Sequence, residues 1–232
     1  DNIDERTTRD ELPSGIQTAL LSKKSRGEQV VLSLSLNYGN AESLLKYDSA
    51  ANFLGSMMMR GTESMNHQQI QDALDQLGAS LSFGGSAGSL TISITAKRET
   101  LPAVLAIMTQ VVQAPSFPED EFEVIRQQSI TGLEASKADP QALAMSLLAR
   151  TMTPYDKNDI RASHTIEEQI VRLKAVKLDH IKELYATQIG NGSGELVVVG
   201  DFTAAELLPA VTKALAKLAT KVEYVRIDSA AF

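Results

Sequence analysis

The chain has 232 residues with no cysteine, no tryptophan and three histidines, which leaves no disulfide framework, thiolate metal cluster or cysteine nucleophile. At 43% hydrophobic and 22% charged it has the balance of a folded soluble chain, not a disordered one. The net charge of −7 comes without a basic stripe, which argues against nucleic acid as a partner. No apolar run approaches the roughly eighteen residues that a membrane helix needs, so no membrane insertion is expected. The first residues, Asp1-Asn2-Ile3-Asp4-Glu5-Arg6, do not read as a signal peptide, which leaves the compartment open.

In chain order, Leu12-Pro13-Ser14-Gly15 reads as a turn and Ile16 to Leu21 as a short strand. From Glu28 to Tyr38 the pattern alternates, with Val30, Leu32, Leu34, Leu36 and Tyr38 on one face, as in a half-buried strand. A helical region follows over Leu44 to Arg60, with Gly61 placed as its C′ residue. Asn66 then N-caps a helix carrying Ile70, Ala73, Leu74 and Leu77 at helical spacing, and Gly78 stops it. Ala79 to Gly84 and Leu90 to Ala96 alternate around a Gly-rich tip at 84–88, predicting a hairpin with a loose connection.

The middle of the chain is helical: Leu101 to Gln113, then a helix opened by Pro118 at N1 with acids behind it, running to about Ala138. Asp139-Pro140 breaks it before Gln141 to Thr151 resumes. Further helices are predicted over Thr165 to Val171 and Leu178 to Gln188, then a buried strand over Glu195 to Gly200. Thr203-Ala204-Ala205-Glu206 reads as a capping box opening the last helix. Val222 to Ile227 reads as a final strand or the start of a linker. Strands grouped apart from helices predict an α+β fold with a mostly antiparallel sheet of about five or six strands.

Read residue by residue, nothing names a reaction. Gly190 to Gly194 precedes a strand and lacks the helix N-terminus that a phosphate loop uses. His180 and Glu183 share a helix face at i, i+3, but zinc needs at least a third protein ligand. Ser163, His164 and Asp159 are close in sequence, which is no evidence of a triad. His67 falls in a first helical turn and is expected on the surface. Met57, Met58 and Met59 read as core filling.

Taken in order, several landmarks resemble the pitrilysin/insulinase family of zinc metallopeptidases, which includes the mitochondrial processing peptidases. They are Leu12 to Ile16, Ala51 to Thr62, Leu77 to Leu81, Pro115 to Glu119, Glu134 to Pro140 and Val198 to Asp201, and the likeness covers about residues 6–218. In active members of that family a His-x-x-Glu-His helix places two zinc ligands at i and i+4 with the general base between them. The matching positions here are Asn52, Gly55 and Ser56. The third ligand, a later Glu, falls at Thr131 or Gly132, with Glu134 two or three residues away.

The resemblance therefore implies a metal-free, non-catalytic domain: no cofactor in this chain, and zinc only in an active homologous domain. It implies a single domain over 1–220, with 221–232 a linker or the start of a further domain, from a longer bacterial protein. Partners would be homologous domains of the same chain or a paired subunit, enclosing a peptide. That peptide would add to the strand Ser80, Leu81, Ser82, Phe83 and Gly84. The cell envelope or periplasm is the expected compartment, with the cytoplasm left open. Two other readings stand beside it: a purely structural core-type subunit, and a zinc site relocated to His180 and Glu183.

Overall fold

The structure, a computed structural model, describes residues 2–228; the last residues of the expected 221–232 linker lie outside them. Its centre is a six-stranded sheet in the order β1-β2-β6-β3-β5-β4. The strands are β1 (Thr8–Glu11), β2 (Ile16–Ser22), β3 (Gln29–Asn37), β4 (Ser80–Ser86), β5 (Ser89–Lys97) and β6 (Gly194–Gly200). All neighbours pair antiparallel except β2 with β6. The fold is α+β with a mostly antiparallel sheet.

Alternation in β3 sets the architecture. Val30, Leu32, Leu34 and Leu36 are all fully buried, and the register brings Leu34 opposite both Ile92 of β5 and Leu196 of β6. Beyond β5, Ile92 and Ile94 stand opposite Phe83 and Leu81 of β4. Cross-strand apolar pairs of this kind fix register, because a one-residue slip would turn the whole set to the other face. Among the described residues, helices cover that face. On the other, Val31 and Val197 remain exposed. The apolar run of β6 is therefore half-buried and not buried on both sides as its composition implied.

The helices are α1 (Ile3–Arg6), α2 (Ala41–Leu44), α3 (Asp48–Met58), α4 (His67–Gln76), α5 (Leu101–Gln113), α6 (Glu119–Ser136), α7 (Pro140–Met152), α8 (Ile166–Ala175), α9 (Leu178–Gln188) and α10 (Ala204–Leu215). Helix α5 buries Val104, Leu105, Met108, Val111 and Val112, and α3 buries Phe53, Leu54, Met57 and Met58. A smaller cluster, Ile130, Ile166 and Ile170, ties α6 to α8. Helix α4 starts and stops where its signals lie: the Asn66 side chain accepts from Gln69 N, and Gly78 takes the left-handed φ of +57°.

Several local expectations are corrected. The region over 44–60 is not one helix: α2 is followed by a 3₁₀ turn over Leu45–Tyr47 before α3 begins. Gly61 does not end α3, whose C-cap is Met59; it forms a β-bridge with Asn66 instead. Pro118 is the N-cap of α6 and not its first helical residue. The hairpin tip is tight, since β4 and β5 pair out to Ser86 and Ser89 and leave a two-residue turn. The capping box of α10 does not form; Thr203 Oγ1 accepts a 2.9 Å hydrogen bond from Arg98, which also holds Asp201. Residues 221–228 form neither strand nor helix, yet they lie back on the domain, with Val225 N donating to Gly39 O.

Candidate functional site

Asn52 and Ser56 sit one turn apart on α3 and line a cavity of about 600 Å³ bounded by α3, α6, α7 and α8. Its apolar walls include Phe53, Ile125, Leu133 and Leu173, so it lies between the main core and the small α6–α8 cluster. Polar groups from distant parts of the chain converge there. Arg172 Nη2 donates to Asp48 Oδ2 at 2.5 Å, tying α8 to the start of α3. His164 lines the wall with its Nδ1 3.9 Å from Glu168 Oε2. The Lys157 ammonium at 2.6 Å and the Thr165 backbone amide hold the Glu168 carboxyl down at about 2.

Gly55 lies between the two cavity residues in sequence but on another side of the helix. It is buried, and a Cβ placed on it would stand 2.8 Å from the Cα and N of Gly84 and 2.9 Å from Phe83 C. These are backbone atoms of β4, so no side chain fits without moving the strand. Helix α3 thus packs directly on the strand expected to receive a peptide. That strand is an edge: β4 pairs with β5 on one side and closes the sheet order on the other. Of its residues, Leu81 and Phe83 are buried while Ser80, Ser82 and Gly84 are exposed, and Ser82 stands across from Ser93 of β5.

Thr131 and Gly132, where the resemblance puts a third ligand, do not line the cavity. Thr131 borders a different, shallow depression on α6, and a Cβ on Gly132 would meet nothing within 4 Å. The residues α6 sends to the cavity are Ile125, Ser129 and Leu133, and Ser129 Oγ is turned back to Ile125 O. Zinc is held by imidazole, thiolate or carboxylate, whereas Asn52, Gly55 and Ser56 offer an amide, no side chain and a hydroxyl. This set does not suit zinc. Among the described residues, no group of three or more His, Asp or Glu is placed to hold a metal ion.

The remaining candidates resolve into structural contacts. His180 Nδ1 accepts from Lys177 N at the start of α9, while Glu183 accepts a 2.8 Å hydrogen bond from Lys46. The two are therefore occupied separately. Asp159 is clamped by Arg161, which holds its carboxyl at about 2, and Ser163 Oγ lies 2.9 Å from Thr153 Oγ1; no triad is assembled. His67 is not simply exposed: it is half-buried, with Nδ1 2.9 Å from Met59 O at the end of α3. The Gly-rich loop before β6 is fastened by Thr220, whose hydroxyl accepts from Gly192 N. Sequence reasoning missed Asp48, which stands one turn before Asn52 on α3, and Arg172, which reaches the site only through the packing of α8 on α3.

Residues 18–162, more than half of the chain, match the family model described as insulinase, peptidase family M16. The chain belongs to the insulinase family. Solved structures agree on the fold. An inactive M16 peptidase domain from Pseudomonas fluorescens superposes with a TM-score of 0.82 at 18% identity, covering 97% of this chain and 54% of that one. The periplasmic protease PqqL from Escherichia coli gives 0.73 at 19% identity, over 99% of this chain and 26% of that one. The ferredoxin protease FusC, in complex with Arabidopsis ferredoxin, gives 0.68 at 19% identity, over 98% and 25%. This insulinase-family chain therefore spans about half or a quarter of the structures it resembles. No curated protein matches it significantly in sequence. Among its described residues no helix is long and apolar enough to cross a membrane.

Proposed function

We propose that this insulinase-family chain is a non-catalytic domain that pairs with homologous domains and helps to hold a peptide between them. The observation that carries this reading is the packing at Gly55. In the family motif that position belongs to the general base, and here the backbone of β4 occupies the space its side chain would need. With Asn52 and Ser56 at the flanking ligand positions, the domain supplies neither metal nor base, and any zinc belongs to an active partner domain.

Peptide binding would use the free edge of β4, whose backbone groups over 80–84 are available for strand addition. The likeness to an inactive family domain, and the larger size of the relatives, support a role as one unit of a paired assembly over residues 1–220, with 221–232 leading onward. FusC was captured holding a protein, ferredoxin, and a comparable polypeptide substrate is the reading favoured here. The likeness to PqqL, a periplasmic protease, supports a place in the bacterial envelope. The test is an NMR titration with an unstructured decapeptide. Amide shifts concentrated at Ser80 to Gly84 are expected; shifts elsewhere only, or none, would remove β4 as the peptide site.

A further inference from the structure

Helix α7 carries a surface that its own domain does not use. None of its residues is buried. Five of the twelve large apolar side chains exposed among the described residues fall within it: Leu143, Met145, Leu147, Leu148 and Met152, each 45% to 60% exposed. At 100° per residue they sweep about 200° of the helix circumference, while Ala142 and Ser146 turn toward the body. A helix apolar over that much of its surface is the kind that proteins bury. Of the other exposed apolar residues, Ile3, Val124 and Val225 are scattered singly, as on any surface, while Val31 and Val197 lie near each other on the open sheet face.

The character of the patch selects its occupant. About half of five large side chains amounts to roughly 450 Å², within the range of a monomer's largest apolar patch, which is often functional, and over half of the ~800 Å² that each partner buries in a standard interface. A helix lying on a membrane carries a polar face rich in Lys and Arg, but α7 holds a single charge, Arg150. An extended peptide seeks a strand edge, and α7 is a convex helix. What fits a broad, uncharged, convex face is the surface of another folded domain. The inactive domain structure from Pseudomonas fluorescens, of which this chain covers 54%, contains further chain of about the same length.

We propose that α7 is the docking surface for a second domain of this same fold, a proposal that rests on the pairing read above and names its interface. Ser146 and Ala149 of α7 also wall the cavity that holds Asn52 and Ser56. A domain seated on the exposed face of α7 therefore lies on the outer side of that wall.

The test places the photo-crosslinker p-benzoylphenylalanine at position 147 of the natural full-length protein in its own cells, and separately at Val197 on the open sheet face. Mass spectrometry then identifies the linked peptide. A product from position 147 to a domain of this fold, in the same polypeptide or a partner, is expected. A product from position 197 alone would overturn the α7 interface and leave pairing intact. No homologous product from either position, or a product from 147 to lipid or to an unrelated protein, would overturn the proposal. If the Leu147 variant fails to fold by circular dichroism, Met152 takes the same label with the same outcomes.

Discussion

Substituting Gly55→Ala tests the contact on which the functional reading turns. The added Cβ would lie 2.8 Å from two backbone atoms of Gly84, and backbone in the sheet cannot swing aside as a side chain tip can. Overpacking of this kind costs about 1–3 kcal/mol. Against it, Ala is favoured over Gly in a helix interior by about 1 kcal/mol, so the net is a destabilisation of about 0–2 kcal/mol. Gly132→Ala is the matched control. Gly132 is exposed in α6, with open space where its Cβ would stand, so the same helical gain of about 1 kcal/mol should appear with no penalty. The two variants should therefore separate by about 1–3 kcal/mol, or roughly 2–12 °C in Tm at 2–4 °C per kcal/mol for a chain of this size. Urea unfolding followed by circular dichroism measures the gap, provided the slope with denaturant is unchanged. If Gly55→Ala proves as stabilising as Gly132→Ala, α3 does not rest on β4, and the argument that the base position is filled fails.

Two further predictions concern the frame around the site. Leu34→Ala empties a fully buried position in the central strand and should cost about 2–5 kcal/mol in the same unfolding assay. Glu168 has its carboxyl lowered from 4.5 to about 2 by Lys157, the Thr165 amide and, more weakly, His164. Its stabilisation is complete above the unfolded value and is lost as pH falls from about 4.5 toward 2. The difference in stability between the wild-type chain and Glu168→Gln should therefore shrink across that window; a difference constant from pH 6 to pH 2.5 would refute the assignment.

Local pattern was enough for the elements whose burial is dictated by their own period. The alternation of β3, the apolar stripe of α5 and the Asn66-to-Gly78 bounds of α4 all follow from which residues must leave water. What covers each face was not legible. The ELVVVG run of β6 carries no sign that only Leu196 and Val198 turn inward. Thr203 looked like a cap, but Arg98, 105 residues away, takes its hydroxyl. The site divides in the same way. That Asn52, Gly55 and Ser56 stand at the positions the family resemblance assigns to its zinc motif is a matter of identity and spacing, read within one short segment. The Gly55–Gly84 contact and the convergence of Arg172 on Asp48 depend on segments far apart in the chain, whose approach no local spacing encodes. Helix α7 spans Pro140–Met152 against the expected Gln141 to Thr151, one residue longer at each end, yet its composition carries no sign that its apolar face is left bare.

The most direct test of the account is metal content. The purified chain, equilibrated with excess zinc at neutral pH and dialysed against metal-free buffer, is analysed by plasma mass spectrometry. The account predicts zinc far below one equivalent, unchanged in Asn52→Ala and Ser56→Ala. One retained zinc per chain, lost in either variant, would contradict it.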